Sequence, residues 1–141
     1  MLELSEVDLK VVRGINNAVK SRGEGWRYPN GWVDEQRIED FDIDPDWALF
    51  GGGCYNLLPN GDPACIIGFV AVDQGLPTER ESSAEVDARN WQVSNAVSAA
   101  IVLAQNEQDS GYVWGKARDA FYDELVEYGA SPEQVSKWKE L

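Results

Sequence analysis

The side chains with the most obvious capacity for chemistry are the carboxylates spaced as Asp42-x-Asp44-x-Asp46. This spacing is that of a calcium-binding loop. Such a loop beginning at Asp42 needs glycine at its sixth position and glutamate at its twelfth, where the chain has Trp47 and Gly53. Beginning at Asp40 it meets Pro45 and Gly51 instead. A looser carboxylate site for a divalent cation stays open, and no metal is assigned. An Asp-x-Asp pair also serves phosphoryl transfer beside a phosphate-binding loop, but neither G-x-x-x-x-G-K-[ST] nor G-x-G-x-x-G occurs in the chain. Gly51-Gly52-Gly53 lies between Phe50 and Cys54, with the nearest bases at Arg37 and Arg80. It reads as a connector, because a phosphate cradle wants a helix N-terminus with cations close by. The acidic stretch 34–50 sets Asp34, Glu35, Glu39, Asp40, Asp42, Asp44 and Asp46 against Arg37 alone, a net −6. Ile38, Phe41 and Ile43 are interleaved with the acids, so the stretch reads as a solvated loop pinned to a core.

Four aromatics, Trp26, Tyr28, Trp32 and Trp47, flank this charge. Large aromatics ringed by charge are the composition of interaction hot spots. The competing reading is a satellite core covering the edge of a small β element. The candidate binding residues are therefore Trp26, Tyr28, Trp32, Asp40, Asp42, Asp44, Asp46 and Trp47. No catalytic residue is assigned. The chain has no histidine, which removes Ser-His-Asp and Cys-His nucleophilic machinery and histidine-ligated zinc. Two cysteines, Cys54 and Cys65, exclude a disulfide scaffold and are expected to be free buried thiols, although one bridge between them stays open.

The elements that must position these residues are mostly helices. Ser5 caps a helix over 6–21, with Leu9, Val12, Ile15 and Val19 at helical spacing and Gly23 and Gly25 after it. Residues 54–58 read as a short strand before the turn Pro59-Asn60-Gly61. Asp62-Pro63 as cap and first position, with Gly75 as stop, predicts a buried helix over 63–74. A strand at 65–72 paired with 54–58 is the alternative. A capping box from Ser82 or Thr78 opens the longest helix, which runs to about Gln108 with Val93, Val97, Ala100, Ile101 and Ala104 on one face. A further helix spans about Tyr112 to Tyr128. Ser131-Pro132-Glu133-Gln134 opens a last one carrying Trp138.

The fold class expected is α+β, mainly α: a single domain over 1–141 with four to five helices and a small β element around 54–58. Its 141 residues suffice for one core without disulfides or metals. The net charge of −13, from 25 acids and 12 bases, argues against nucleic acid and anionic membranes as partners. No apolar run reaches the ~20 residues of a spanning helix, and MLELSEVDLK lacks the features of a signal peptide, so a cytoplasmic location is expected.

Two segments carry a resemblance. Cys54-Tyr55 followed by Gly61-Asp62-Pro63-Ala64-Cys65-Ile66-Ile67-Gly68, and Gln108-Asp109-Ser110-Gly111-Tyr112-Val113-Trp114-Gly115-Lys116-Ala117, resemble a family of small uncharacterised proteins of actinobacteria and their phages. The resemblance covers roughly 50–118 and leaves out the acidic stretch. It implies an origin and no mechanism. Together with the charge, it leads to the expectation of a non-enzymatic acidic interaction protein, a bacteriophage accessory protein that binds and modulates a host protein, with no cofactor. The alternatives are a DNA mimic occupying a nucleic-acid-binding protein, and a small carboxylate- or metal-dependent enzyme with acids converging in a pocket.

Overall fold

A computed structural model describes residues 1–28, 55–58 and 60–141. Helix α1, Glu6–Arg22, starts where the sequence places it: Ser5 Oγ accepts from Asp8 N–H at 3.2 Å, and Asp8 Oδ2 accepts from Ser5 N–H at 3.0 Å. The other oxygen of this buried carboxylate accepts from Ser94 N–H at 2.9 Å, joining the start of α1 to a helix 86 residues away.

Helix α2 spans Ile66–Gln74 and ends at Gly75 in the left-handed region, φ 67°. The helical reading of this stretch holds, but its cap does not. Cys65, not Asp62, is the N-cap, its sulfur accepting from Gly68 N–H at 3.3 Å. Residues 62–65 instead fold back on the segment before them, with Leu58 N–H donating to Asp62 O, Ala64 N–H to Asn56 O and Cys65 N–H to Tyr55 O at 2.8–3.1 Å.

The expected β element around 54–58 is overturned, and with it the α+β class: the described residues contain helices and no strand. A single antiparallel bridge, Leu57 with Pro63, is all that forms. Pro63 has no N–H to extend a ladder, the chain turns into α2 three residues later, and Asn56 N–H is taken by Arg80 O at 2.9 Å. Cys54 lies outside the described residues, while Cys65 is a free, buried thiol.

Six helices are described where four to five were expected, because the long helix predicted from about residue 82 to 108 is two. Helix α3, Ala84–Trp91, is capped by Ser83, and α4, Asn95–Asp109, by Ser94. Between them Gln92 adopts φ 59°, the one positive-φ residue among those described that is not glycine. No glycine or proline marks this break. It is held from outside by Asp8 on Ser94 N–H and by Trp91 Nε1–H donating to Pro77 O at 2.6 Å.

Helix α5, Trp114–Glu127, has no side-chain cap; Trp114 N–H and Gly115 N–H donate to Trp26 O and Glu24 O at 2.8 and 2.9 Å. Helix α6, Pro132–Trp138, opens with the predicted capping box of Ser131 and Gln134. Gln134 also grips the start of the chain, donating to Leu2 O and accepting from Leu2 N–H.

The largest packing interface is α4 on α5, followed by α1 on α2 and α3 on α4. Val11, Val12 and Ile15 of α1, Ile66, Ile67 and Val70 of α2, Val97 and Ile101 of α4, and Trp114, Phe121 and Leu125 of α5 form one contiguous buried cluster. Full burial of each large side chain contributes about 1.5–3 kcal/mol. Gly14 lets α1 approach α2 closely, since a Cβ there would sit 2.7 Å from Val70 Cγ1. No described helix is long and apolar enough to cross a membrane.

Candidate functional site

Of the eight residues proposed from sequence, the structure describes Trp26 and Tyr28. Trp32, Asp40, Asp42, Asp44, Asp46 and Trp47 lie outside the described residues. Tyr28 is buried, and its hydroxyl oxygen accepts from Tyr55 N–H at 3.1 Å. Trp26 is half-buried, its ring meeting Trp114 edge-on at 4.3 Å between centroids with the guanidinium of Arg22 5.3 Å from its own centroid. Its carbonyl, with that of Glu24, caps α5, and the Arg27 guanidinium donates to Gly111 O. The segment 23–28 is thus strapped across the start of α5 by backbone and side chains. Both described aromatics use their rings as core.

This packing has a topological consequence. The Tyr28–Tyr55 bond fastens together the two points where the stretch 29–54 leaves and rejoins the helical body. All seven acids of 34–50 therefore belong to one segment whose ends are held side by side.

Tyr55 leads into a buried polar network that the sequence did not disclose. Asp87, on α3, accepts from Asn56 Nδ2 at 2.5 Å, Ser82 Oγ at 2.9 Å and Thr78 Oγ1 at 3.1 Å. Burial pushes its carboxyl above the usual aspartate range; the three hydrogen bonds oppose this and the nearby Glu79 charge adds to it. The other end of the Asn56 amide accepts from the Cys65 thiol at 3.3 Å. A second buried amide, Gln108, accepts at Oε1 from Ile66 N–H at 2.7 Å and Trp114 Nε1–H at 3.0 Å. Cys65 and Gln108 together satisfy two of the orphan donors at the start of α2. These groups have the types that chemistry uses, and each is engaged in holding one element to another. Asn56–Asp87 and Ile66–Gln108 span 31 and 42 residues, so no local pattern announces them.

Cys65, Ile66, Gln108 and Trp114, from the two segments that carry the resemblance, meet at this node. A Cβ on Gly68 would lie 1.7 Å from Asn56 O, and one on Gly115 3.0 Å from Glu24 O. Gly111 turns the chain at φ 89° so that Trp114 can return to Gln108.

Among the clefts on the described surface, two adjoin buried polar groups. One, of about 330 Å³, is lined by Thr78, Glu79, Glu81, Ser82, Asp87 and Asn90. Its acids do not converge: among the described residues no three of Asp, Glu, Cys or His are placed to hold a metal. The other, of about 390 Å³, is lined by Asn16, Val19, Lys20, Glu24, Arg118 and Lys139. Deep to it, Asn16 accepts from the Tyr122 hydroxyl at 2.6 Å and donates to Trp138 O at 2.7 Å. Burial pushes the Tyr122 phenol up to about 12 despite the Asn16 bond and the Arg118 charge. No family model, curated protein or solved structure matches the chain.

Proposed function

We propose that this chain is a non-enzymatic acidic interaction protein, a bacteriophage accessory protein that acts in the bacterial cytoplasm by binding a host protein through the segment 29–54. The observation that carries the reading is the Tyr28–Tyr55 clamp at the base of that segment. Fastened ends reduce the conformational freedom a segment loses when it engages a partner. The charge of 34–50, net −6, selects a basic surface on that partner, and Trp32 and Trp47 supply the apolar anchors that charge alone lacks.

The buried network supports binding over chemistry, since Asp87, Asn56, Cys65 and Gln108 are all engaged in joining elements. The cleft with Lys20, Arg118 and Lys139 favours an interaction protein over a DNA mimic, which is best served by an unbroken acidic face. Origin in a phage rests on the resemblance of 50–118 alone.

Trp26 is unsuitable as a test residue because its ring packs on Trp114. The informative variant is Trp32→Ala with Trp47→Ala. In affinity capture from an actinobacterial lysate, it is expected to lose a protein that the parent chain retains, with helix content unchanged by circular dichroism. Equal retention by both would remove the aromatic anchors from the account.

A further inference from the structure

The cleft between α1, α5 and the end of α6 runs against the charge of the molecule. Three of the chain's twelve basic residues line it: Lys20 from the last turn of α1, Arg118 from α5 and Lys139 from the C-cap of α6. One acid, Glu24, faces them there. Lysines near helix C-termini are stabilised by the helix dipole, which accounts for Lys20 and Lys139 singly. It does not account for Arg118, which sits in the first half of α5 and meets them in one concavity of about 390 Å³. Among the described residues neither lysine takes part in an ion pair; Arg118 does, through Nη2 to Glu24 Oε1 at 2.7 Å and to Asp119 at 3.3 Å. Val19 and Asn16 form the floor, and the Tyr122 ring lies 5.4 Å from Lys139 Nζ.

We propose that this cleft binds a compact, multiply charged oxyanion of the phosphate class, with Glu24 as the carboxylate that holds its place on Arg118. A planar guanidinium and two lysines lining one cleft suit an anion with several oxygens and more than one charge. Glu24 is 70% exposed against 23% for Arg118, so the carboxylate can swing into solvent while the guanidinium stays. The backbone bond from Gly115 N–H to Glu24 O keeps the strap in place when it does. The residues lining this cleft all lie outside 29–54 in sequence, and the proposal stands or falls independently of the function proposed above.

The test is isothermal titration of the full chain with inorganic phosphate at low ionic strength, repeated on two variants. The parent chain is expected to bind one phosphate saturably, and binding to weaken as sodium chloride is added. Lys20→Gln with Lys139→Gln, both exposed positions, removes two cations and is expected to weaken binding by about tenfold or more. Glu24→Gln removes the carboxylate charge that competes for Arg118, leaving Asp119 as its one acidic partner among the described residues, and is expected to tighten binding by about threefold or more. Circular dichroism confirms that both variants keep their helices. Failure of the parent to saturate, or equal affinity in the double lysine variant, overturns the site. An unchanged affinity in Glu24→Gln overturns the placeholder role.

Discussion

Two residues show how little freedom the buried network leaves. Gly68 lies in the first turn of α2 with Asn56 O where a side chain would be. Gly68→Ala is therefore expected to cost on the order of 3 kcal/mol, because backbone rather than a flexible side chain must move. Chemical denaturation of this variant measures it directly. Asp87 makes a different prediction. Its carboxyl is raised by burial, so the fold holds the proton more tightly than the unfolded chain does. The resulting stability is complete below the unfolded value of about 4 and is lost as pH rises through the folded value. Asp87→Asn abolishes that titration, and Ser82 and Thr78 can rotate their hydroxyls to accept from the new amide. Urea midpoints measured from about pH 4 to about pH 7 are expected to show the parent losing ground to Asp87→Asn as pH increases. A parent that gains ground over that range would contradict the burial account.

At the scale of elements, helices whose ends are set by neighbouring residues were legible. The caps at Ser5 and Ser131 and the stop at Gly75 each act within four residues of chain, and the structure reproduces all three, adding at Ser5 the reciprocal bond to Asp8. Boundaries set from a distance were not. Asp62-Pro63 carries a sound local cap signal, yet Cys65 caps α2 because the preceding residues are drawn back onto 55–58. The same folding back leaves the expected strand with one bridge and no ladder. The break at Gln92 is held by Asp8 and Trp91 through contacts that span 86 and 14 residues, and its left-handed backbone is one that sequence rules reserve for glycine. That conformation costs a non-glycine residue about 1 kcal/mol. Gln92→Gly is accordingly expected to raise stability by up to about 1 kcal/mol, less the added entropy of the unfolded chain. A thermal melt checks it, and a clear destabilisation would mean that the Gln92 side chain contributes more than its backbone costs.

Across the whole molecule, the charge of −13 is unevenly distributed along the chain, with a net −6 over 34–50. The sequence leaves Trp26 and Tyr28 open as interaction anchors or as a satellite core; their rings pack with the core, and Tyr28 closes the segment's base through Tyr55. The long-range pairing of two tyrosines has no local signature, whereas the excess of acids over 34–50 is plain in the composition. Of the acids outside that stretch, Asp8 and Asp87 are buried, and three of the bases gather in one cleft.

If the segment 29–54 binds a host protein as proposed, its carboxylates carry the recognition. Affinity capture from an actinobacterial lysate, eluted with a salt gradient and run in parallel on the parent and on Asp40→Asn/Asp42→Asn/Asp44→Asn/Asp46→Asn, tests it most directly. The parent is expected to retain a host protein and release it as salt rises, and the variant to fail to retain it while remaining helical. The same protein held equally by both would contradict it.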